Sequence, residues 1–311
     1  MIGRAEIEAA RRRIVGRVRR TPVLSLSEGA LARLPGVLSF KLENCQVTGS
    51  FKPRGVFNRV LSEPSLPRSG LVAASGGNHA AAVAFAARSL GLPCEVFLPS
   101  IAPAIKREQL RNLGARVTVV GDVFAEALEA SDARAQDIGA LSVHAFDHPA
   151  VVAGQGTVAA EFEDQVPDLD TVLVAVGGGG LIGGIAAWYA GRVRIIAVEP
   201  EGSPSLTQAR QEGRPVDIQT GGLAADSLGC RRVGVLGFNL AQRFVERSLV
   251  VPEEAIRRAQ RLLWEELRTV AEPGGAVALA ALLDGSYAPA LGERVGVIVC
   301  GGNTDPASLR A

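Results

Sequence analysis

The chain has 311 residues, of which 47% are hydrophobic and 21% charged, so it can bury a substantial core and is not intrinsically disordered. Its 33 basic residues meet 32 acidic ones for a formal charge of +1, which gives no electrostatic case for a nucleic-acid or membrane-surface protein. The cysteines, Cys45, Cys94, Cys230 and Cys300, are scattered and the histidines number 3, so neither a disulfide scaffold nor a multi-His metal site is expected.

The segment Met1–Arg13 has no apolar run of signal-peptide type, and a cytoplasmic protein is expected. Arg11–Arg20 holds six Arg in ten residues without interleaved aromatics and reads as a solvated helix face. Strands are predicted at Val37–Leu42, Leu71–Ala74, Cys94–Leu98, Val117–Val120, Leu141–Ala145, Val172–Val176, Ile195–Val198 and Val295–Val299. Helical periodicity covers Ala80–Leu90, Pro103–Leu113, Ala125–Ile138, Leu181–Ala190 and Glu253–Val270, the last stopped by Glu272-Pro273-Gly274. The alternation of strand and helix, with several strands apolar throughout, predicts an α/β fold with parallel sheets covered by helices. Thr171–Ala190 carries no charge and is long enough to span a membrane, yet six of its residues are Gly, and it reads better as a buried strand, a glycine loop and a helix.

Two glycine loops follow predicted strands. Gly177-Gly178-Gly179-Gly180-Leu181 leads into a helix, the arrangement of a phosphate cradle: glycine lets the backbone approach closely, and the free N–H groups and the helix dipole favour an anion. Gly178, Gly180 and Gly183 also satisfy G-x-G-x-x-G, with Glu199 placed 21 residues after Gly178, so an NAD-dependent oxidoreductase is an alternative from a different class. The second loop, Ser75-Gly76-Gly77-Asn78-His79, offers a helix N-terminus with hydroxyl, amide and imidazole groups. Gly301-Gly302 follows the last strand and Cys300.

Thirty of the basic residues are Arg, and Lys41, Lys52 and Lys106 are the only lysines. Lys52 follows Ser50, a potential N-cap of a helix running to Leu61, with Pro53 in the first turn. An ammonium at the positive end of a helix is disfavoured, and a lowered pKa suits a Schiff-base lysine. Spacing alone does not separate that role from a surface lysine at a turn. Lys41 lies on a strand and Lys106 on a polar helix face; both are expected to tolerate Arg.

Together these segments resemble the fold-type II pyridoxal-phosphate (PLP) enzymes, in particular the serine/threonine dehydratase (threonine ammonia-lyase) and serine racemase group. The resemblance runs from Arg20-Thr21-Pro22 to Gly301-Gly302-Asn303. It is carried most specifically by Thr48–Gly55, which matches T-G-S-F-K-x-R-G, and by Gly154-Gln155-Gly156-Thr157, while Glu272–Ala276 is similar to the family's E-P-(S/T/G)-(A/G)-A segment. It implies two open three-layer α/β domains of the tryptophan synthase β-subunit type with mostly parallel sheets, a large one from residues 1–67 and 146–311 and a small one from 68–145, with the cofactor in the cleft between them. It also implies a homodimer and, since no regulatory domain follows Asn303, the catalytic-only form.

By the same resemblance, Lys52 would hold PLP and later act as the base, and Phe51 would pack on the ring. Gly177, Gly178, Gly179, Gly180 and Leu181 would bind the phosphate. Asn78 would bond the 3′-oxygen, and Cys300 would stand where relatives place Ser or Thr against the pyridine nitrogen. Ser75, Gly76, Asn78 and His79 would surround the substrate carboxylate, with Glu272 and Asp226 as further site residues. Two departures stand out. Racemases of this group carry a hydroxyl where this chain has Gly76, so elimination should dominate over racemisation. Relatives build a divalent-cation site from a Glu and an Asp six residues later; here Glu199 is followed by Ser205, a poor ligand for a hard cation, which puts a cation in doubt. The implied activity is dehydration and deamination of a β-hydroxy amino acid such as L-threonine or L-serine to a 2-oxo acid and ammonia. Racemisation and β-replacement are alternatives on the same fold.

Overall fold

A computed structural model describes residues 2–32, 34–102, 104–122 and 124–310. In chain order the strands are β1 (Val23–Leu26), β2 (Val37–Leu42), β3 (Leu71–Ala74), β4 (Cys94–Leu98), β5 (Arg116–Val119), β6 (Leu141–Ser142), β7 (Thr171–Ala175), β8 (Arg194–Pro200), β9 (Val245–Val251) and β10 (Arg294–Val299). The helices are α1 (Arg4–Ile14), α2 (Lys52–Leu61), α3 (Asn78–Leu90), α4 (Ala104–Asn112), α5 (Phe124–Ile138), α6 (Pro149–Gln165), α7 (Gly180–Tyr189), α8 (Ser205–Glu212), α9 (Ala225–Leu228), α10 (Val235–Phe244), α11 (Glu253–Glu265) and α12 (Pro273–Leu283).

The strands form two sheets. A six-stranded sheet runs β1-β2-β10-β7-β8-β9 and a four-stranded sheet runs β5-β4-β3-β6. Among the described residues only β1 and β2 pair antiparallel as strands; every other ladder is parallel. Strands β3, β4 and β7 are buried at every residue, as both faces of each sheet are covered. One apolar core surrounds the larger sheet, and two smaller ones lie on opposite faces of the four-stranded sheet, one under α3 and one under α5. Among the described residues no helix is long and apolar enough to cross a membrane, and Thr171–Ala190 resolves into β7, the glycine loop and α7.

Several boundaries depart from the sequence expectations. Strand β6 stops at Ser142, because His144 Nδ1 accepts hydrogen bonds from the N–H groups of Phe146 and Asp147 and turns the chain. Helix α11 ends at Glu265, five residues short of Val270, with Arg268 in the left-handed region. Glu272-Pro273 does not stop a helix; it opens α12, with Pro273 in the first turn where a missing N–H costs nothing. Strands β1 and β9 have no strong alternation and lie outside the strands that the sequence predicts. Pro103, expected to start a helix, lies outside the described residues.

A buried charge cluster locks the base of α2. Arg54 donates to both oxygens of Glu43 at 2.8 and 2.7 Å and to both of Glu161 at 3.1 and 3.0 Å. Lys41 donates to Glu161 at 2.6 Å, to the Thr21 carbonyl at 2.9 Å and to Gln165 at 2.6 Å. The Thr21 hydroxyl donates to Glu43 at 2.6 Å. Burial pushes the Glu161 carboxyl upward, and Arg54 and Lys41 more than reverse it, so it stays ionised. Lys41, expected to accept Arg, is fully buried with its amine committed to three oxygens, a setting in which a larger, planar five-donor guanidinium is not an equivalent replacement. Lys41→Ala, which leaves the two buried carboxylates with Arg54 as their one cation, should destabilise the protein by about 3 kcal/mol in urea unfolding, and Lys41→Arg should also lower the unfolding midpoint.

Candidate active site

Three loops meet at the C-terminal ends of parallel strands, where open α/β sheets bind ligands. Residues Ser75–Gly77 follow β3, Val176–Gly179 follow β7, and Cys300–Gly302 follow β10. Residues 49–51 are stitched to the last of these: Phe51 N–H donates to the Cys300 carbonyl at 3.1 Å, Gly302 N–H to the Gly49 carbonyl at 2.9 Å, and Ser50 bridges Gly301. Lys52 therefore opens α2 beside Cys300. The N-cap position belongs to Phe51, not Ser50, whose hydroxyl is buried without a partner.

One enclosed cavity is lined by Phe51, Lys52, Gly177–Leu181 and Cys300, with Ala145, Phe146, Gln155, Ser227 and Leu228 completing the wall. Among the described residues the Lys52 amine makes a single hydrogen bond, 3.2 Å to the Ala145 carbonyl. Burial holds it below the usual lysine range, against the opposing pull of Cys230, Cys300 and Glu272. Cys300 is buried, its thiol donates to the Gly274 carbonyl at 3.4 Å, and burial pushes its pKa far up, so it is a neutral group.

Gly179 caps α7 in the left-handed conformation, φ +88°, and the N–H groups of the first turn that follows have no intrahelical acceptor. A Cβ at Gly178 would strike the Phe146 ring, and at Gly180 it would lie 3.1 Å from Phe146 Cα. Glycine is required here because Phe146, which lines the same cavity, leaves no room for a side chain at Gly178 or Gly180. A nucleophilic amine, a bare helix N-terminus and a neutral wall group around one enclosed space fit a cofactor that has an aldehyde and a phosphate.

Asn78, Glu272 and Gly76 face an adjoining cleft that shares Ser227 with the cavity. Asn78 Nδ2 donates to Glu272 Oε1 at 2.6 Å, and Asn303 Nδ2 donates to Asn78 Oδ1 at 2.6 Å and to the Thr48 carbonyl at 2.7 Å. Thr48 sits at φ +63° with its hydroxyl buried and unpartnered, a strained residue in the cleft wall. Burial pushes Glu272 up to about 7, against the Asn78 hydrogen bond. The Ser75 hydroxyl accepts from Gly77 N–H at 3.3 Å, and Ser75 lines neither space. His79 is buried against the Val143 carbonyl at 2.7 Å and lines neither space; burial lowers its pKa to about 3, so the ring is neutral. Asp226 is exposed and paired with Lys106 across the cleft. Asn303, Thr48 and Gln155 acquire site positions that spacing did not reveal, although Thr48 and Gln155 belong to the motifs that carried the resemblance.

Glu199 is not presented to a ribose or a cation. Its carboxylate accepts from Leu206 N–H at 2.7 Å, Thr207 N–H at 2.8 Å and the Thr207 hydroxyl at 2.7 Å at the start of α8. Among the described residues no group of three or more His, Cys, Asp and Glu side chains is placed to hold a metal ion.

The chain belongs to the pyridoxal-phosphate dependent enzyme family, whose model matches residues 14–301. It is 39% identical to an L-threonine ammonia-lyase of Thermotoga maritima over 98% of this chain and 76% of that protein. Maize serine racemase superposes with a TM-score of 0.93 at 33% identity, covering 99% of this chain and 95% of that one. The serine racemase of Dictyostelium discoideum superposes at 0.90 with 32% identity, covering 98% and 99%, and a threonine deaminase of T.th. at 0.90 with 34% identity, covering 97% and 99%.

Gly178→Ala should cost about 1–3 kcal/mol through its clash with Phe146 and weaken PLP binding, with Phe146→Ala restoring part of both, as read by thermal melts and cofactor titration. A buried carboxyl near 7 binds its proton more tightly folded than unfolded, so the stability it contributes is complete at low pH and lost as pH rises through 7. Burial also pushes Glu199 up to about 7. The two carboxyls should therefore each contribute a fall in stability between about pH 5 and pH 7, opposed up to about pH 6.5 by the rise that neutral, buried His79 contributes, and the difference in stability between wild type and Glu272→Gln should itself change across that window in urea titrations.

Proposed function

We propose that this chain is a PLP-dependent ammonia-lyase that dehydrates and deaminates a β-hydroxy amino acid such as L-threonine or L-serine to a 2-oxo acid and ammonia. The observation that carries this reading is the shared cavity of Lys52, the glycine cradle and neutral Cys300. The similarity to threonine ammonia-lyase supports it.

Bound PLP supplies an aldehyde that condenses with amines and a conjugated ring that disperses negative charge from the substrate α-carbon. The chain's residues do the rest. Gly177 to Leu181 would hold the phosphate through backbone N–H groups at the positive end of α7. Lys52 would hold the aldehyde end, and its Nζ, whose hold on a proton burial weakens, would accept the α-proton of bound substrate. Phe51 would pack on the ring, and Asn78, fixed by Glu272 and Asn303, would bind its 3′-oxygen. Ser75, Asn78 and the backbone of the first turn of α3 receive the substrate carboxylate, with neutral His79 buttressing that turn from beneath. Cys300 gives the wall a thiol that stays neutral, and such a group cannot hold a positive charge opposite it as a carboxylate would. Charge withdrawal is then moderate, which suits loss of a β-hydroxyl over a long-lived carbanion.

The chain divides near residues 67 and 146 into a large PLP-binding unit and a small unit that closes the cleft and excludes water. It acts as a cytoplasmic homodimer. Relatives named serine racemase support a second reading, amino-acid racemisation. Gly76 argues against it, because no side chain there can deliver a proton to the opposite face of the α-carbon. A Cβ at Gly76 meets only Leu98 Cδ2, at 3.3 Å, so a serine can be introduced.

The holoenzyme should release pyruvate from L-serine or 2-oxobutyrate from L-threonine, measured as 2-oxo acid, and Lys52→Arg should lower turnover by at least about a thousandfold, the scale of a lost general base. Chiral chromatography should show little D-serine from the wild type and more from Gly76→Ser. Inversion of serine by the wild type without pyruvate would overturn the lyase reading.

A further inference from the structure

The cleft outside the Lys52 cavity carries a charge pair that the reaction does not use. Lys106, on α4 beside the four-stranded sheet, forms an ion pair with Asp226, on α9 beside the six-stranded sheet. Lys106 is 23% exposed and Asp226 65%. Both line the same space as Gly76, Asn78, Ser227 and Glu272. Ser227, the next residue after Asp226, also lines the Lys52 cavity, so an amino acid held at Lys52 has its outer end in this cleft. The charges of Asp226, Lys106 and Lys52 all reach Glu272, which places the pair within electrostatic range of the reacting end.

We propose that the Lys106–Asp226 pair sets the side-chain charge preference of the site: paired, it presents an almost neutral wall that accepts an uncharged side chain and turns away an anionic one. An anionic side chain approaching Lys106 would meet the Asp226 carboxylate as a like charge beside it. An uncharged hydroxyl leaves the pair intact. Without Asp226, Lys106 becomes an unpaired, partly buried cation facing the substrate, and a site of that kind selects a carboxylate. The pair thus acts by the charge it cancels, and its contribution to stability is that of an exposed ion pair, small.

This inference rests on the proposal above only in taking an amino acid as the ligand of Lys52, and its test reads binding, not elimination. Holoenzyme would be titrated with L-aspartate and with L-asparagine, near-isosteric side chains that differ in charge, and binding followed by the absorbance of the bound cofactor. Asp226→Asn should shift the aspartate-to-asparagine affinity ratio toward aspartate by about tenfold or more, and adding Lys106→Met should abolish that shift. A ratio that changes less than about twofold in Asp226→Asn, or a shift that survives Lys106→Met, would overturn the proposal. In parallel, 2-oxo acid formation from L-threonine by the wild type reports on the lyase assignment: its absence would sink that assignment and leave the affinity ratio to judge the pair.

Discussion

Everything at the site depends on two cations and two carboxylates buried behind the first turn of α2. Arg54 is clamped between Glu43 and Glu161, and Lys41 holds Glu161 from the other side. These residues come from β2, the turn after it, α2 and α6, so the cluster fixes four pieces of backbone at once. Burying four charges is costly, and the arrangement is stable only because nearly every lone pair and proton has a partner. Removing one member would leave the buried cluster with one uncompensated charge. Lys52 lies two residues before Arg54, and its position is set by that clamp on one side and by the backbone bonds from Gly49 and Phe51 to the β10 loop on the other.

With Lys52 held, the cavity follows from elementary electrostatics. A buried amine with one weak acceptor holds its proton less firmly than a free lysine. A glycine loop backed by Phe146 has no room for side chains. A buried thiol stays protonated. A nucleophile, a helix N-terminus and a neutral wall thus line one space, a setting that suits a PLP aldehyde and phosphate. The ionised groups lie one layer out, in the cleft, where Asp226 and Lys106 cancel each other. Glu272 stands between the two zones: buried, near neutrality in its titration, and joined to Asn78.

Much of this was legible in the residue order. Strands β2, β3, β4, β7 and β10 lie where apolar, β-branched runs said they would, within a residue, because strands covered on both faces need continuous apolar runs. Parallel pairing followed from strand-helix alternation. The glycine loops stood out by residue type and spacing, and Lys52 became the candidate through the Thr48–Gly55 motif, since spacing alone did not separate it from a surface lysine. Strands β1 and β9 were not legible: both are edge strands, partly exposed, and the exposed face of such a strand accepts almost any residue. Helix α12 was hidden because proline and glycine serve equally to stop one helix and to open the next, and only the neighbouring fold distinguishes the two.

The sequence by itself determined the class of fold and the PLP-enzyme resemblance, and it singled out Lys52 as the candidate lysine, since each depends on local patterns or short motifs. Tertiary structure decided the rest. Lys41 looks like any strand lysine until β2 is laid against α6, where it becomes half of a buried ion pair. His79 looks like a ligand-binding residue until α3 packs against Val143 and turns the ring inward. Glu199 looks like a ribose or cation ligand until α8 offers it three hydrogen-bond donors. Lys106 and Asp226, 120 residues apart in sequence, meet only because two sheets face one cleft. Burial and pairing are properties of what surrounds a residue in space, and for these residues the surroundings come from distant parts of the chain.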